Sequence, residues 1–138
     1  MIENIKSANK FILIAEDDID DKEILEEIFE SIDPSIQLQF INNGEKLVNY
    51  LELVEKEELP CLIILDYNMP DLNGAQILES LQGNEWLKSI PKMIWSTSNA
   101  LAYKNRCLEL GACAYLVKPS TIKELENMLR HMISYCAV

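Results

Sequence analysis

Short apolar runs alternate along the chain with longer stretches of helical period. Phe11 to Ala15, Ile36 to Ile41, Cys61 to Leu65, Met93-Ile94-Trp95 and Ala114 to Val117 read as strands. The first, third and fifth are continuously apolar, the pattern of parallel strands covered on both faces. Between them lie Ile24-Leu25-Ile28-Phe29-Ile32, Leu47-Val48-Leu51-Val54, Ile77-Leu78-Leu81, Leu101-Cys107-Leu108 and Leu125-Met128-Leu129-Met132-Ile133. Each set forms a stripe on one helix face. Asp33-Pro34 closes the first helix, Asn42-Asn43-Gly44 opens the second, and Gly111 follows the fourth. Five strands alternating with five helices predict an α/β fold built on a doubly wound five-stranded parallel sheet.

Composition narrows this. The 138 residues amount to a single domain, 1–138, with a core over about 10–135. Apolar residues make up 49% and charged ones 25%, and no run approaches the roughly 20 apolar residues of a membrane span. The amino-terminal MIENIKSANK lacks the apolar core of a secretory signal, which makes the cytoplasm the expected compartment. Cys61, Cys107, Cys113 and Cys136 show no C-x-x-C spacing and read as small buried hydrophobes. A formal charge of −11 repels a phosphate backbone, so neither nucleic acid nor membrane is expected as a partner. Proteins are.

In open parallel sheets, ligands bind beyond the carboxyl ends of the strands, where strand order reverses. The first strand runs into Glu16-Asp17-Asp18, the third into Asp66, the fourth into Ser96-Thr97 and the fifth into Lys118-Pro119. Clustered carboxylates repel one another and call for a cation, and hard oxygen ligands without His or Cys thiolate favour Mg²⁺ or Mn²⁺. An aspartate beside such a metal is a competent nucleophile toward a phosphoryl group. A lysine and a hydroxyl donor would neutralise the oxygens that arrive with it. The chain has no G-x-x-x-x-G-K-S/T loop, which argues against a nucleotide as donor.

On these residues the chain resembles a response-regulator receiver domain of two-component signalling, from Phe11 to about Ser134. Glu16-Asp17, the phrase LDYNMP around Asp66, Gly74, Ser96 and Lys118-Pro119 carry the likeness, with Ser96 30 and Lys118 52 positions after Asp66. The run EDDIDD and the tract from Ile90-Pro91 to Ser98 further resemble stand-alone regulators that pair with phytochrome-type histidine kinases, without an output domain.

The resemblance implies a flavodoxin-like (βα)5 fold with strand order 2-1-3-4-5. It makes Asp66 the phosphoacceptor for a histidine kinase or phosphotransfer protein, in a chain that catalyses only its own phosphorylation and slow dephosphorylation. Glu16, Asp17, Asp66 and the Asn68 carbonyl would hold Mg²⁺, with Glu16 acting through a water. Lys118 would pair with Asp66, then with the phosphoryl group. Ser96 would bond a phosphoryl oxygen and so release Tyr115 to rotate inward. The Lys118-Pro119 bond is expected to be cis. Output would leave through the fourth helix, fifth strand and fifth helix, by homodimerisation or docking.

Plainer roles compete with some of these. Asp18 fits a helix cap better than a ligand, Tyr115 fits the core as readily as a switch, Tyr67 and Met69 read as loop walls, and His131 as a surface residue. Glu16 stands where Asp is frequent, Ser96 replaces the commoner Thr, and Thr97 follows it where a smaller residue is usual. Trp95 is bulkier than the usual aliphatic, which would alter the packing between Ser96 and Tyr115. A haloacid-dehalogenase-type hydrolase would need a second acid where Asn68 stands. A receiver-like interaction module that is never phosphorylated is the other rival.

Overall fold

The computed structural model describes residues 11–136. Its strands are β1 (Phe11–Ala15), β2 (Gln37–Ile41), β3 (Leu62–Asp66), β4 (Lys92–Ser96) and β5 (Ala114–Val117). They form one parallel sheet in the order β2-β1-β3-β4-β5. The helices are α1 (Ile19–Ile32), α2 (Gly44–Leu53), α3 (Gly74–Leu81), α4 (Leu101–Glu109) and α5 (Ile122–Ile133). This is the expected flavodoxin-like fold. A single helical turn at Glu85–Lys88 and a 3-10 turn at Lys56–Glu58 have no counterpart in the hydrophobic pattern.

Because successive strand residues point to opposite faces, the sheet supports two cores. Leu13, Ala15, Ile63, Leu65, Ile94 and Tyr115 pack against α2, α3 and α4. Ile12, Ile14, Leu62, Ile64, Met93 and Trp95 face α1 and α5. Full burial of each such aliphatic stabilises by roughly 1.5–3 kcal/mol. Residues of β3 and β4 are buried throughout, whereas β5 buries only Tyr115. The expectation that the fifth strand is covered on both faces is therefore corrected: β5 lies at the sheet edge, and Val117 stays 40% exposed. The fourth helix is corrected too. Only Cys107 of its supposed stripe is buried, with Leu101 67% and Leu108 39% exposed.

Local chemistry sets the boundaries. Asp18 caps α1 by accepting the Asp21 N–H, Asn43 caps α2, and Thr121 caps α5. Asn73 and Gln76 form a reciprocal capping box at α3, each side-chain oxygen accepting the other's backbone N–H at 2.8 Å. Asn73→Ala should therefore lower stability by about 1 kcal/mol, read as an earlier denaturant midpoint with unchanged slope. Ahead of that cap, Asp71 accepts N–H bonds from Gly44 (2.9 Å) and Glu45 (2.8 Å), joining the loop to the start of α2. Gly74 sits at a close approach, since a Cβ there would stand 3.0 Å from Ile94 Cδ1 and 3.2 Å from Tyr67 Cα and those neighbours would have to give.

The cysteines depart from expectation. Cys61 and Cys136 form a disulfide with a Cα separation of 5.2 Å, across 75 positions of sequence. The turn after α5 returns Cys136 to the start of β3, a meeting that linear spacing does not reveal. Cys107 alone fits the reading of a small buried hydrophobe, its thiol pushed up to about 11 by burial. Cys113 is exposed. The disulfide is also a feature that a cytoplasmic setting does not lead one to expect.

Candidate functional site

The chain runs from β1 outward to β2, then crosses back to place β3 on the other side of β1. This is the reversal point at which parallel sheets bind ligands. Glu16 and Asp17 leave β1 there, and Asp66 is the last residue of β3. Carboxylate oxygens of Glu16, Asp17 and Asp66 lie within 4.8 Å of one another, with Glu16 and Asp66 buried and Asp17 exposed.

Lys118, just beyond β5, reaches across this cluster. Its Nζ stands 2.9 Å from Asp66 Oδ2, 3.2 Å from Asp21 Oδ2 and 3.4 Å from Glu16 Oε1. Asp66 Oδ1 accepts the Asn68 N–H at 2.9 Å. Glu16 Oε2 accepts the Asp18 N–H at 3.1 Å, and its Oε1 accepts the indole N–H of Trp95 at 3.3 Å. The ammonium of Lys118 also lies 4.8 Å from the Trp95 ring centroid.

Burial drives the Glu16 carboxyl up from 4.5 to about 7, with repulsion from Asp66 adding to it, while Lys118 and the Asp18 N–H pull the other way. Burial also works against the charge on Lys118, but its hydrogen bond to Asp66 and the charges of Asp66, Glu16 and Asp21 outweigh it and hold the ammonium above its ordinary pKa. A carboxyl raised in the folded state binds more protons folded than unfolded. Its contribution is fully present below 4.5 and is lost as pH climbs through about 7. Metal-free protein should thus lose thermal stability from pH 4.5 to 7, and Glu16→Gln should flatten that slope, as melting at a series of pH values would register. Several carboxylates sharing one ammonium, with no His or thiolate among them, suit a hard divalent cation.

The structure brings Glu16, Asp17, Asp66, the Asn68 backbone and Lys118 together. Ser96 is fully buried at the end of β4, its hydroxyl oxygen accepting the Ser98 N–H at 3.0 Å. Tyr115 is already inward, 7% exposed, donating to the Ser98 carbonyl at 2.8 Å. Both side chains thus meet the loop after β4. Thr97 is exposed, as is His131, which sits edge-on to Tyr135.

Two expectations fail here. No described peptide bond is cis, so Lys118-Pro119 is trans. Trans is favoured by about 0.5–1 kcal/mol even before proline, and Lys118 reaches Asp66 without the rarer isomer. Trp95 does not crowd Ser96 and Tyr115, because it faces the α1–α5 layer while Tyr115 packs on the opposite one.

Sequence reasoning also missed residues. Asp21 lies one turn into α1, and the acidic run EDDIDD was its only signal. Trp95 stands out for bulk in the sequence, but where its N–H and ring face point is set only by the fold. Tyr67 stacks on Tyr103 of α4, with centroids 4.7 Å apart and planes 17° from parallel. That joins the Asp66 loop to α4, where a plain loop wall was expected.

A five-stranded 2-1-3-4-5 sheet with acids, a hydroxyl and a lysine at its carboxyl edge defines a class. The chain belongs to the response regulator receiver domain family, whose model matches residues 12–130. It is homologous to two-component response regulators. It is 28% identical to two-component response regulator ORR4 of Oryza sativa subsp. indica, an alignment taking in 88% of this chain and 59% of that protein. The chain thus spans about three-fifths of that relative's length. Among solved structures, response regulator RPA3017 in red light signalling of R. palustris superposes with a TM-score of 0.81 at 29% identity, covering 91% of this chain and 92% of that one. The Mn²⁺-bound form of response regulator Rcp1 superposes with a TM-score of 0.79 at 28% identity, over 91% and 92% of the two chains.

Proposed function

We propose that this receiver accepts a phosphoryl group on Asp66 from a phosphohistidine and reports it through the surface of α4, β5 and α5. The observation that carries the reading is the clustering of the Glu16, Asp17 and Asp66 carboxylates at the sheet's reversal point, with Lys118 set against Asp66 and Glu16. Glu16, Asp17, Asp66 and the Asn68 carbonyl fit a site for Mg²⁺, with Mn²⁺ as a substitute. When bound, the cation would supply positive charge against the phosphoryl oxygens.

The chain's own residues do the rest. An Asp66 carboxylate oxygen forms the new P–O bond as the P–N bond to the donor imidazole breaks, leaving the electron pair on nitrogen. The Asn68 N–H on Oδ1 and Lys118 on Oδ2 hold the carboxylate for that attack. Lys118 then pairs with the arriving charge, and Ser96 turns its hydroxyl toward a phosphoryl oxygen. Because Ser96 and Tyr115 both bond to Ser98, that turn is felt at Tyr115.

Exposed Leu101, Tyr103, Leu108, Val117 and Ile122 give the α4-β5-α5 surface an apolar character suited to homodimerisation or docking. The donor is a histidine kinase or phosphotransfer protein. A phytochrome-type kinase is favoured by the likeness to RPA3017 in red light signalling. Among the described residues no helix is long and apolar enough to cross a membrane. A cytoplasmic place belongs to the same proposal.

The test is labelling with acetyl phosphate and Mg²⁺. The expected product is an acid-stable, base-labile phosphoryl group whose formation a chelator abolishes. Folded protein that takes up no label would overturn the proposal.

A further inference from the structure

We propose that Trp95 is a positioning residue for phosphoryl transfer, its indole N–H holding Glu16 and its ring face holding Lys118 in line with Asp66. This rests on the phosphoacceptor reading above.

The register of β4 sets Trp95 opposite Asp66, and the Trp95 carbonyl accepts the Tyr67 N–H at 3.0 Å. Backbone and side chain thus bracket the end of β3. The side chain is 3% exposed, so the orientation of its N–H is fixed by packing. That N–H meets Glu16 Oε1 at 3.3 Å, the same oxygen that Lys118 Nζ approaches at 3.4 Å. The ammonium in turn lies 4.8 Å from the ring centroid.

Charge alone does not aim Lys118, because Glu16, Asp21 and Asp66 all attract it at 2.9–3.4 Å. The ring restricts where the ammonium sits, by attraction to its π face. The N–H restricts Glu16, by a hydrogen bond to its buried carboxyl oxygen. An aliphatic side chain would still pack against α1 and α5, with less volume, and do neither. Phenylalanine would keep a ring face and lose the donor.

The experiment compares acetyl phosphate labelling rates of wild type, Trp95→Phe, Trp95→Leu, Lys118→Ala and the Trp95→Leu/Lys118→Ala double variant. Trp95→Leu should label on the order of tenfold more slowly, and Trp95→Phe should fall between it and wild type. In the Lys118→Ala background the Trp95→Leu factor should shrink severalfold, because the group it acts through is gone. A residue that only fills space would cost the same factor in both backgrounds, and that result would overturn the proposal. So would a folded Trp95→Leu within about twofold of wild type. If Trp95→Leu fails to fold, Trp95→Phe decides by the same criterion.

A second readout needs no phosphoryl donor. The chain has two tryptophans, and Trp86 is 51% exposed, so Trp86→Phe leaves the buried indole as the one tryptophan, excited selectively at the red edge where tyrosine does not absorb. Its emission should shift when Lys118→Ala is added, and an unchanged spectrum would contradict the contact. Wild type that never labels would instead remove the phosphoacceptor reading and leave this readout standing.

Discussion

Asp66→Asn is expected to take up no phosphoryl group from acetyl phosphate under conditions that label wild type. The amide matches the carboxylate in shape but lacks its charge, and its oxygen is a poor nucleophile toward phosphorus. Its oxygen can still accept the Asn68 N–H that Asp66 Oδ1 takes at 2.9 Å, so the loop and the fold should survive. The substitution also changes its surroundings. Repulsion from Asp66 is the second cause lifting Glu16 to about 7, and without that charge the Glu16 carboxyl should fall toward its ordinary range. Carboxyl titration by NMR would follow this in the same protein used for labelling. Equal label on wild type and Asp66→Asn would put the acceptor elsewhere.

Lys118→Ala should have the next largest effect, and it should act first on stability. The ammonium is the cation that Glu16, Asp21 and Asp66 share, and its side chain is 15% exposed beside an Asp66 side chain at 6%. Removing one partner from a buried ion pair typically costs about 3–5 kcal/mol, because the other charge is left uncompensated. The loss should be deepest above pH 7, where Glu16 is ionised. It should be smaller in acid, where Glu16 takes up a proton, and smaller with Mg²⁺, which answers the same repulsion. Denaturant unfolding with and without Mg²⁺ at two pH values would resolve these arms. The variant should still bind Mg²⁺ yet lose phosphorylation-dependent association, since no cation links the phosphoryl group to β5. Wild-type stability in the metal-free variant, with association unchanged, would strip Lys118 of its role.

How far the sequence reached depended on whether each feature was local. β1 and β3 were legible because their apolar runs are uninterrupted. The apolar pattern marks only Met93 to Trp95, whereas β4 begins one residue earlier, at the charged Lys92. It is buried, its Nζ donating to the Leu87 and Ile90 carbonyls at 2.6 and 2.9 Å. The turn at Glu85–Lys88 was invisible to periodicity, being one turn set by the Asn84 cap. Leu101 and Leu108 are grouped with Cys107 in the pattern but lie on the exposed side of α4.

The site was largely legible for a topological reason. Parallel strands deliver their carboxyl ends to one edge, so Glu16, Asp17, Asp66 and Lys118 had to meet once the order was known. Asp21 and Trp95 escaped because their roles depend on which way a side chain points from a helix or into a core. The Cys61–Cys136 disulfide escaped because its halves meet only after the whole sheet and α5 are in place. The trans Lys118-Pro119 bond shows the reverse limit, since resemblance alone suggested cis and the local geometry did not need it.

The most direct test treats the labelled wild-type protein with borohydride, which converts an aspartyl phosphate to homoserine, and sequences the peptides by mass spectrometry. Homoserine at position 66, and at no other aspartate of the run Asp17 to Asp21, is the expected result. Intact Asp66 in protein that carries the phosphoryl group would contradict it.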